Sequence, residues 1–200
     1  RRARMLQLAG DPHQAAGMFR QLLENWDNAW RTRNGLEPVE AGLPTLPQER
    51  AMLVRFYLAQ AMLDSGDPAG ARNLTGEITG AAGGELAAAA LLLNLRSYRF
   101  PQSESDNEWA LGVRDARAFL ERFPDHHKAV EVAFQIAQAD VHLSQRTAGG
   151  RSDEAIADLQ AFLAQTGFKP TDAVSERPAS LLLAIDAPID NPISSRQQFQ

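Results

Sequence analysis

The sequence contains no cysteine, and this absence excludes disulfide bonds and zinc sites built from thiolates. It does not fix the cellular compartment, because exported bacterial proteins often lack cysteine as well. Lysine is nearly absent, with Lys128 and Lys169 alone, so arginine supplies almost all of the positive charge. The net charge of -5 argues against a nucleic-acid partner, since phosphate binding requires a basic surface.

Long apolar runs are also missing. The longest, residues 86–93, consists of alanine and leucine and is far too short to cross a bilayer, so we expect no membrane insertion. No segment shows the alternation of apolar and polar residues that is typical of strands. The sequence begins without a methionine or a signal-like segment and opens inside a predicted helix. We therefore expect the chain to be part of a longer protein.

The sequence lacks the common catalytic motifs. Residues 80–84 are rich in glycine, but the Gly-Lys-Ser/Thr of a phosphate-binding loop does not follow them. There is no Gly-x-Ser-x-Gly motif. His126 and His127 are expected to point to different sides of a helix start, and His142 lies too far along the chain to join them. We therefore predict no catalytic residue, no metal site and no cofactor.

The chain does contain a recurring helical pattern. Small residues are followed at helical spacing by large apolar residues in four segments, namely residues 15–23, 71–78, 112–120 and 155–163. Two of these segments follow the same turn, Gly10-Asp11-Pro12 and Gly66-Asp67-Pro68. A recurring unit of two helices and a turn is typical of a stacked helical array.

Periodicity and helix-breaking residues predict an all-α chain. The predicted helices cover residues 3–9, 13–33, 49–65, 69–80, 85–99, 107–123, 127–145 and 153–166. A proline-bearing loop at 36–48 interrupts the series, and it is expected either to pack as an ordered excursion or to be a mobile flap. The predicted domain organisation is a repeat array over 1–166, an irregular linker over 167–193 and the start of a further helix over 194–200.

Two tryptophans lie four residues apart in the long predicted helix 13–33. Trp26 and Trp30 are therefore expected on one face of that helix. Packing against a neighbouring helix is the favoured interpretation, and an aromatic platform for a ligand is the alternative.

These patterns resemble the tetratricopeptide repeat (TPR). The order of Leu58-Ala59, Gly66-Asp67 and Ala71 is similar to that family's repeat. The run Phe119-Leu120-Glu121-Arg122-Phe123-Pro124-Asp125-His126 is similar to the TPR lipoproteins and periplasmic proteins of bacterial envelopes. The resemblance implies a TPR-like α-solenoid of antiparallel helix pairs. It further implies a non-enzymatic scaffold that binds a peptide or a partner protein, and it favours the periplasm or cell envelope over the cytoplasm.

In that family the first helix of each pair lines the binding groove. By the resemblance, the residues facing the groove would be Phe56, Tyr57, Gln60, Phe134, Gln135, Gln138 and His142. Aromatic and amide side chains would suit an extended peptide, whose backbone needs hydrogen-bond partners. Burial in the core is an equally expected alternative for Phe56 and Phe134. Two other functions remain open: a structural spacer of a larger envelope protein, and an enzyme with its site at the 36–48 loop.

Overall fold

The computed structural model describes residues 1–146 together with residues 160, 161 and 164. Within this part of the chain there are eight α-helices and no strand, which confirms the all-α prediction. The helices are α1 (Arg2–Leu8), α2 (Pro12–Trp26), α3 (Asn28–Arg33), α4 (Gln48–Asp64), α5 (Pro68–Ala81), α6 (Gly84–Ser97), α7 (Asp106–Arg122) and α8 (Ala129–Arg146).

Contacts follow the order of the chain. Helix α1 packs against α2, α2 against α4, α4 against α5, α5 against α6, and α6 against α7, while α4 also contacts α6. A hydrophobic cluster at the α2–α4 contact is composed largely of small and medium side chains, with Phe19 as its largest buried member. Small side chains allow helices to approach closely, so this composition favours tight helix packing.

The two Gly-Asp-Pro turns have the same geometry. Gly10 and Gly66 adopt positive φ values of 86° and 88°, a conformation that glycine reaches without steric cost. The carboxylates of Asp11 and Asp67 then cap the next helix, accepting from the amides of Gln14 and Gly70 at 3.0 and 2.9 Å. A repeated local sequence thus forms a repeated helical hairpin, α1–α2 and α4–α5.

Small residues of the recurring pattern lie at close helix contacts. Ala15 and Ala71, which follow the two turns, are both buried. In α7, a Cβ atom placed on Gly112 would lie 2.3 Å from Cδ2 of Phe100, so only glycine fits there without a shift of the ring. The small residues of the pattern therefore lie at positions where a larger side chain would clash with a neighbouring helix or ring.

The prediction of one helix over 13–33 is wrong, because the helix breaks at Asp27. This residue is extended, with φ of -105° and ψ of 96°, and its carboxylate accepts from the amides of Ala29 and Trp30 at the start of α3. Consequently Trp26 and Trp30 lie on different helices. Trp26 is 40% exposed while Trp30 packs against the core, so the two do not form a shared face.

A buried ion network explains why the break occurs at Asp27. Arg55 on α4 is only 2% exposed, and its Nη2 lies 2.5 Å from Oδ2 of Asp27. Its Nε lies 3.6 Å from a carboxylate oxygen of Glu77 on α5, which also pairs with Arg33 at the end of α3. An unpaired buried guanidinium would be costly, so Arg55 holds the α2–α3 junction and α5 around itself.

The chain divides into two compact units, residues 1–139 and 140–200. All of α1 to α7 lies in the first unit, and α8 begins there. The predicted linker over 167–193 and the further helix over 194–200 lie outside the described residues, as does most of the predicted helix over 153–166.

Candidate binding site

A row of hydrogen-bonded polar side chains joins α1, α4 and α6. Arg4 donates from Nη1 to Gln60 Oε1 at 2.9 Å, and Gln7 donates from Nε2 to Asp64 Oδ2 at 3.2 Å. The other oxygen of Asp64 accepts from Nη2 of Arg96 at 2.8 Å. We call these five residues the polar ladder. It links groups up to 92 positions apart in sequence (96 − 4) into one continuous row.

Helical spacing places the members of the ladder. Arg4 and Gln7 are three residues apart on α1, and Gln60 and Asp64 are four apart on α4, so each pair lies on one face of its helix. Arg96 is in the last turn of α6. Arg4, Gln7 and Gln60 are half-buried, whereas Asp64 and Arg96 are exposed. The ladder is therefore accessible at one end and partly covered at the other.

The aromatic ring of Tyr57 lies between Arg4 of the ladder and Phe19 of the core. Its ring stacks on Phe19 of the core with centroids 5.9 Å apart and an interplanar angle of 22°. The guanidinium carbon of Arg4 lies 4.7 Å from the ring centroid, within the range of a cation–π contact. Tyr57 is half-buried, so it both anchors the surface to the core and remains partly accessible.

The structure places the three predicted α4 residues together. Phe56 and Tyr57 have ring centroids 5.9 Å apart, and Gln60 bonds to Arg4 within the ladder. Phe56 is half-buried and packs against the core cluster, so much of its surface serves packing. Part of the predicted site thus lies on a contiguous surface.

The remaining predicted residues lie on α8 and are outside the ladder. Phe134, Gln135 and Gln138 are half-buried in the first unit, and His142 is half-buried in the second. Their participation in a common groove with α4 stays a prediction.

Sequence reasoning missed four members of the ladder, namely Arg4, Gln7, Asp64 and Arg96. Two local signals were available. Gln7 follows Arg4 at one helical turn, and Asp64 follows Gln60 in the same way, which marks polar stripes on α1 and α4. The pairing of Asp64 with Arg96 depends on the contact between α4 and α6 and has no signature in the local sequence.

A second polar cluster is buried among α5, α6 and α7. The Thr75 hydroxyl bonds to Asn94, whose amide donates to Asp115 at 3.4 Å, and Asp115 also pairs with Arg114 at 2.7 Å. Burial raises the pKa of Tyr98, and the neighbouring Asp115 carboxylate raises it further. The hydrogen bond to Asp115 raises the pKa of Arg114. Tyr98, Asn94 and Asp115 are all buried, and only Arg114 of these residues is exposed, so the cluster serves mainly to order helix packing.

The loop over 34–47 is hydrogen-bonded to α2 and α3. The Val39 amide donates to Asn28 Oδ1 at 2.7 Å, and the Leu46 amide donates to the Trp26 carbonyl at 2.7 Å. Arg31 donates from its guanidinium to the Glu37 carbonyl at 2.5 Å. The loop exposes Leu43, which is 55% accessible, but these contacts fix it to α2 and α3.

The expected separation of the two adjacent histidines is wrong. Helix α8 begins at Ala129, so His126 and His127 both lie in the preceding turn, with ring centroids 4.2 Å apart. The His126 ring also packs edge-on against Phe119, and its Nε2 lies 3.3 Å from a Glu85 carboxylate oxygen. Among the residues with described positions, no group of three or more histidine or carboxylate side chains has an arrangement that could hold a metal ion.

Comparison with known proteins yields no match. No family model, no curated protein and no solved structure corresponds to this chain. In the part of the chain that the structure describes, no helix is both long enough and apolar enough to span a membrane.

Proposed function

We propose that this chain is a non-enzymatic interaction scaffold, a TPR-like helical array that binds a peptide or a partner domain on the surface of α1, α4 and α6. The polar ladder is the observation that carries the proposal. It presents amide, carboxylate and guanidinium groups in one row across three helices, beside the partly accessible ring of Tyr57. Such a row offers both donors and acceptors to the backbone of an extended peptide.

The helical hairpins support a TPR-like array. The two Gly-Asp-Pro turns share their dihedral angles and caps, and Ala15 and Ala71 are buried at corresponding positions after them. Repetition of one turn would repeat the same helix face along the array. By the same resemblance we propose a place in the bacterial periplasm or cell envelope.

Two other functions predict different behaviour. In a structural spacer, the ladder would only stiffen the contact between helices, and the surface would bind nothing. In an enzyme with its site at the loop, Glu40 and Leu43 would matter more than the ladder, since both are exposed there. Each alternative therefore makes a distinct prediction for the same set of variants.

Selection of a random peptide library against the whole 200-residue chain tests the proposal. The selected peptides are then measured against the double variant Tyr57→Ala/Gln60→Ala on the proposed surface. The matched control is Glu40→Ala/Leu43→Ala on the loop, which also removes one polar and one large apolar side chain. Circular dichroism verifies that both variants keep their helicity.

We expect the surface variant to weaken peptide binding at least about tenfold, as is typical for truncation of central interface residues. The loop variant should bind as the unmodified chain does. A library that yields no binding peptide would contradict the proposal in favour of the spacer. Binding that is lost only in the loop variant would contradict it in favour of a site at the loop.

A further inference from the structure

Arg4 is held in a fixed position by neutral groups alone. Its Nη1 donates to Gln7 Oε1 at 2.6 Å and to Gln60 Oε1 at 2.9 Å. Its guanidinium carbon lies 4.7 Å from the centroid of the Tyr57 ring. Two amide oxygens and an aromatic face orient the cation, but none of them neutralises its charge.

One edge of the Arg4 guanidinium has no hydrogen-bond acceptor among the described residues. Arginine carries five N–H donors in a planar fork, and two of them belong to Nη1. Both Nη1 donors have acceptors, whereas Nε and Nη2 have none among the described residues. The Nε–Nη2 edge carries two parallel N–H groups, which can donate to both oxygens of a carboxylate.

The polar ladder also carries a net positive charge. Its carboxylate, Asp64, is already paired with Arg96 at 2.8 Å and accepts from the amide of Gln7 at 3.2 Å. Two arginines and one aspartate leave the ladder with a net charge of +1 (2 − 1). Because Arg4 is half-buried, it is less hydrated than an arginine in open water, and a negative partner would recover that lost interaction.

We propose that the Nε–Nη2 edge of Arg4 binds the carboxylate of an aspartate or glutamate side chain in the partner peptide. This inference rests on the proposed function and adds the chemistry of the partner, an extended segment with one acidic residue at this point. A carboxylate carries one negative charge and matches the ladder's net charge of +1. A phosphate group carries about −1.5 to −2 at neutral pH and would leave an excess of negative charge.

The test uses two synthetic peptides that differ in one group. The acidic probe is acetyl-Ala-Ala-Glu-Ala-Ala-amide, and the neutral probe has glutamine in place of glutamate. Each is titrated into the 200-residue chain, labelled with nitrogen-15 in arginine, at about 150 mM salt so that long-range attraction is screened. The Nε–Hε resonance of Arg4, assigned from its loss in Arg4→Lys, reports binding at the edge itself.

We expect the acidic peptide to shift the Arg4 resonance in a saturable way and to bind about tenfold more tightly than the neutral peptide. Arg4→Lys keeps the charge but removes the fork, so it should lose most of this preference. The matched control is Arg20→Gln on α2, which changes an exposed arginine away from the ladder and should retain the preference.

Several results would overturn the inference. These are no shift at Arg4, equal binding of the two peptides, equal shifts at Arg4 and Arg20, or an unchanged preference in Arg4→Lys. Tighter binding of a phosphoserine peptide than of the glutamate peptide would overturn the choice of a carboxylate. The library selection separates this inference from the proposed function. Selected peptides without an acidic residue that still depend on Tyr57 and Gln60 would uphold the scaffold and refute the acidic partner.

Discussion

Removal of Arg55 should destabilise the first unit more than the removal of most buried residues. This guanidinium is 2% exposed and contacts two carboxylates, at 2.5 Å from Asp27 and 3.6 Å from Glu77. At an effective dielectric constant of about 20, unit charges about 4 Å apart interact by roughly 4 kcal/mol. Loss of the cation would leave the buried Asp27 carboxylate unpaired, so we expect Arg55→Met to cost about 3–5 kcal/mol.

Asp27→Asn separates the charge of Asp27 from its capping role. The amide oxygen of asparagine can still accept from Ala29 and Trp30, so α3 keeps its cap while Arg55 loses its closest carboxylate. Breaking a buried ion pair costs about 3–5 kcal/mol, and we expect a loss of about 3 kcal/mol here because Glu77 remains near the guanidinium. Asp27→Ala should cost about 1 kcal/mol more, the typical contribution of a helix cap.

The double variant Asp27→Asn/Arg55→Met tests the reasoning itself. Both charges of the closest pair are then gone, and no unpaired ion of that pair stays buried. We expect its loss of stability to be about 2–3 kcal/mol smaller than the sum of the two single losses. The assay is urea denaturation followed by both circular dichroism and tryptophan fluorescence, since agreement between the two supports a two-state transition. A loss below about 1 kcal/mol in Arg55→Met, or strict additivity in the double variant, would refute the account of the ion network.

Three further predictions concern packing and pH. Ala71→Leu should lower the stability by roughly 1–3 kcal/mol in urea denaturation, because Ala71 is buried at a close helix contact, and an unchanged midpoint would refute this role. Gly112→Ala should lower the melting temperature measured by circular dichroism, since the new Cβ would meet the Phe100 ring, whereas an unaltered melt would show that the ring yields freely. Tyr98 has a raised pKa in the folded chain, so the folded state binds more protons than the unfolded state just above pH 10, and stability should fall as the pH rises there. The fall in the urea midpoint between pH 9 and about 11 should be smaller in Tyr98→Phe, and an identical fall in both proteins would contradict the assignment.

The sequence predicted helices well where local signals decide them. The Gly-Asp-Pro turns and the loop prolines indicated the end of α1, the start of α2, both ends of α4 and the start of α5 to within one residue. The break at Asp27 could not be predicted in this way. Asp27 is held by Arg55, which is distant in sequence, and the apolar period continues through Trp26 and Trp30 as if the helix were unbroken.

The candidate site likewise combines residues placed by local sequence with residues placed by contacts between distant helices. Tyr57 and Gln60 were assigned to one surface by the resemblance to the TPR family, and their spacing of three residues is local information that places them on one face of α4. Arg4 and Arg96 could not be assigned to that surface, because their places depend on how α1 and α6 pack against other helices. Histidine spacing was misleading for a related reason: His126 and His127 precede α8, so helical geometry does not separate their rings.

Mapping of a bound peptide tests most directly whether the surface of α1, α4 and α6 is the binding site. A selected peptide carrying a benzophenone group is photo-crosslinked to the whole chain, and the attachment sites are identified by mass spectrometry. Our account predicts attachment on this surface, near Leu53, which is exposed on the same stripe of α4 as Tyr57 and Gln60. Competition with the unlabelled peptide should abolish that attachment. Attachment confined to the loop over 34–47, or spread evenly over the chain and insensitive to competition, would contradict it.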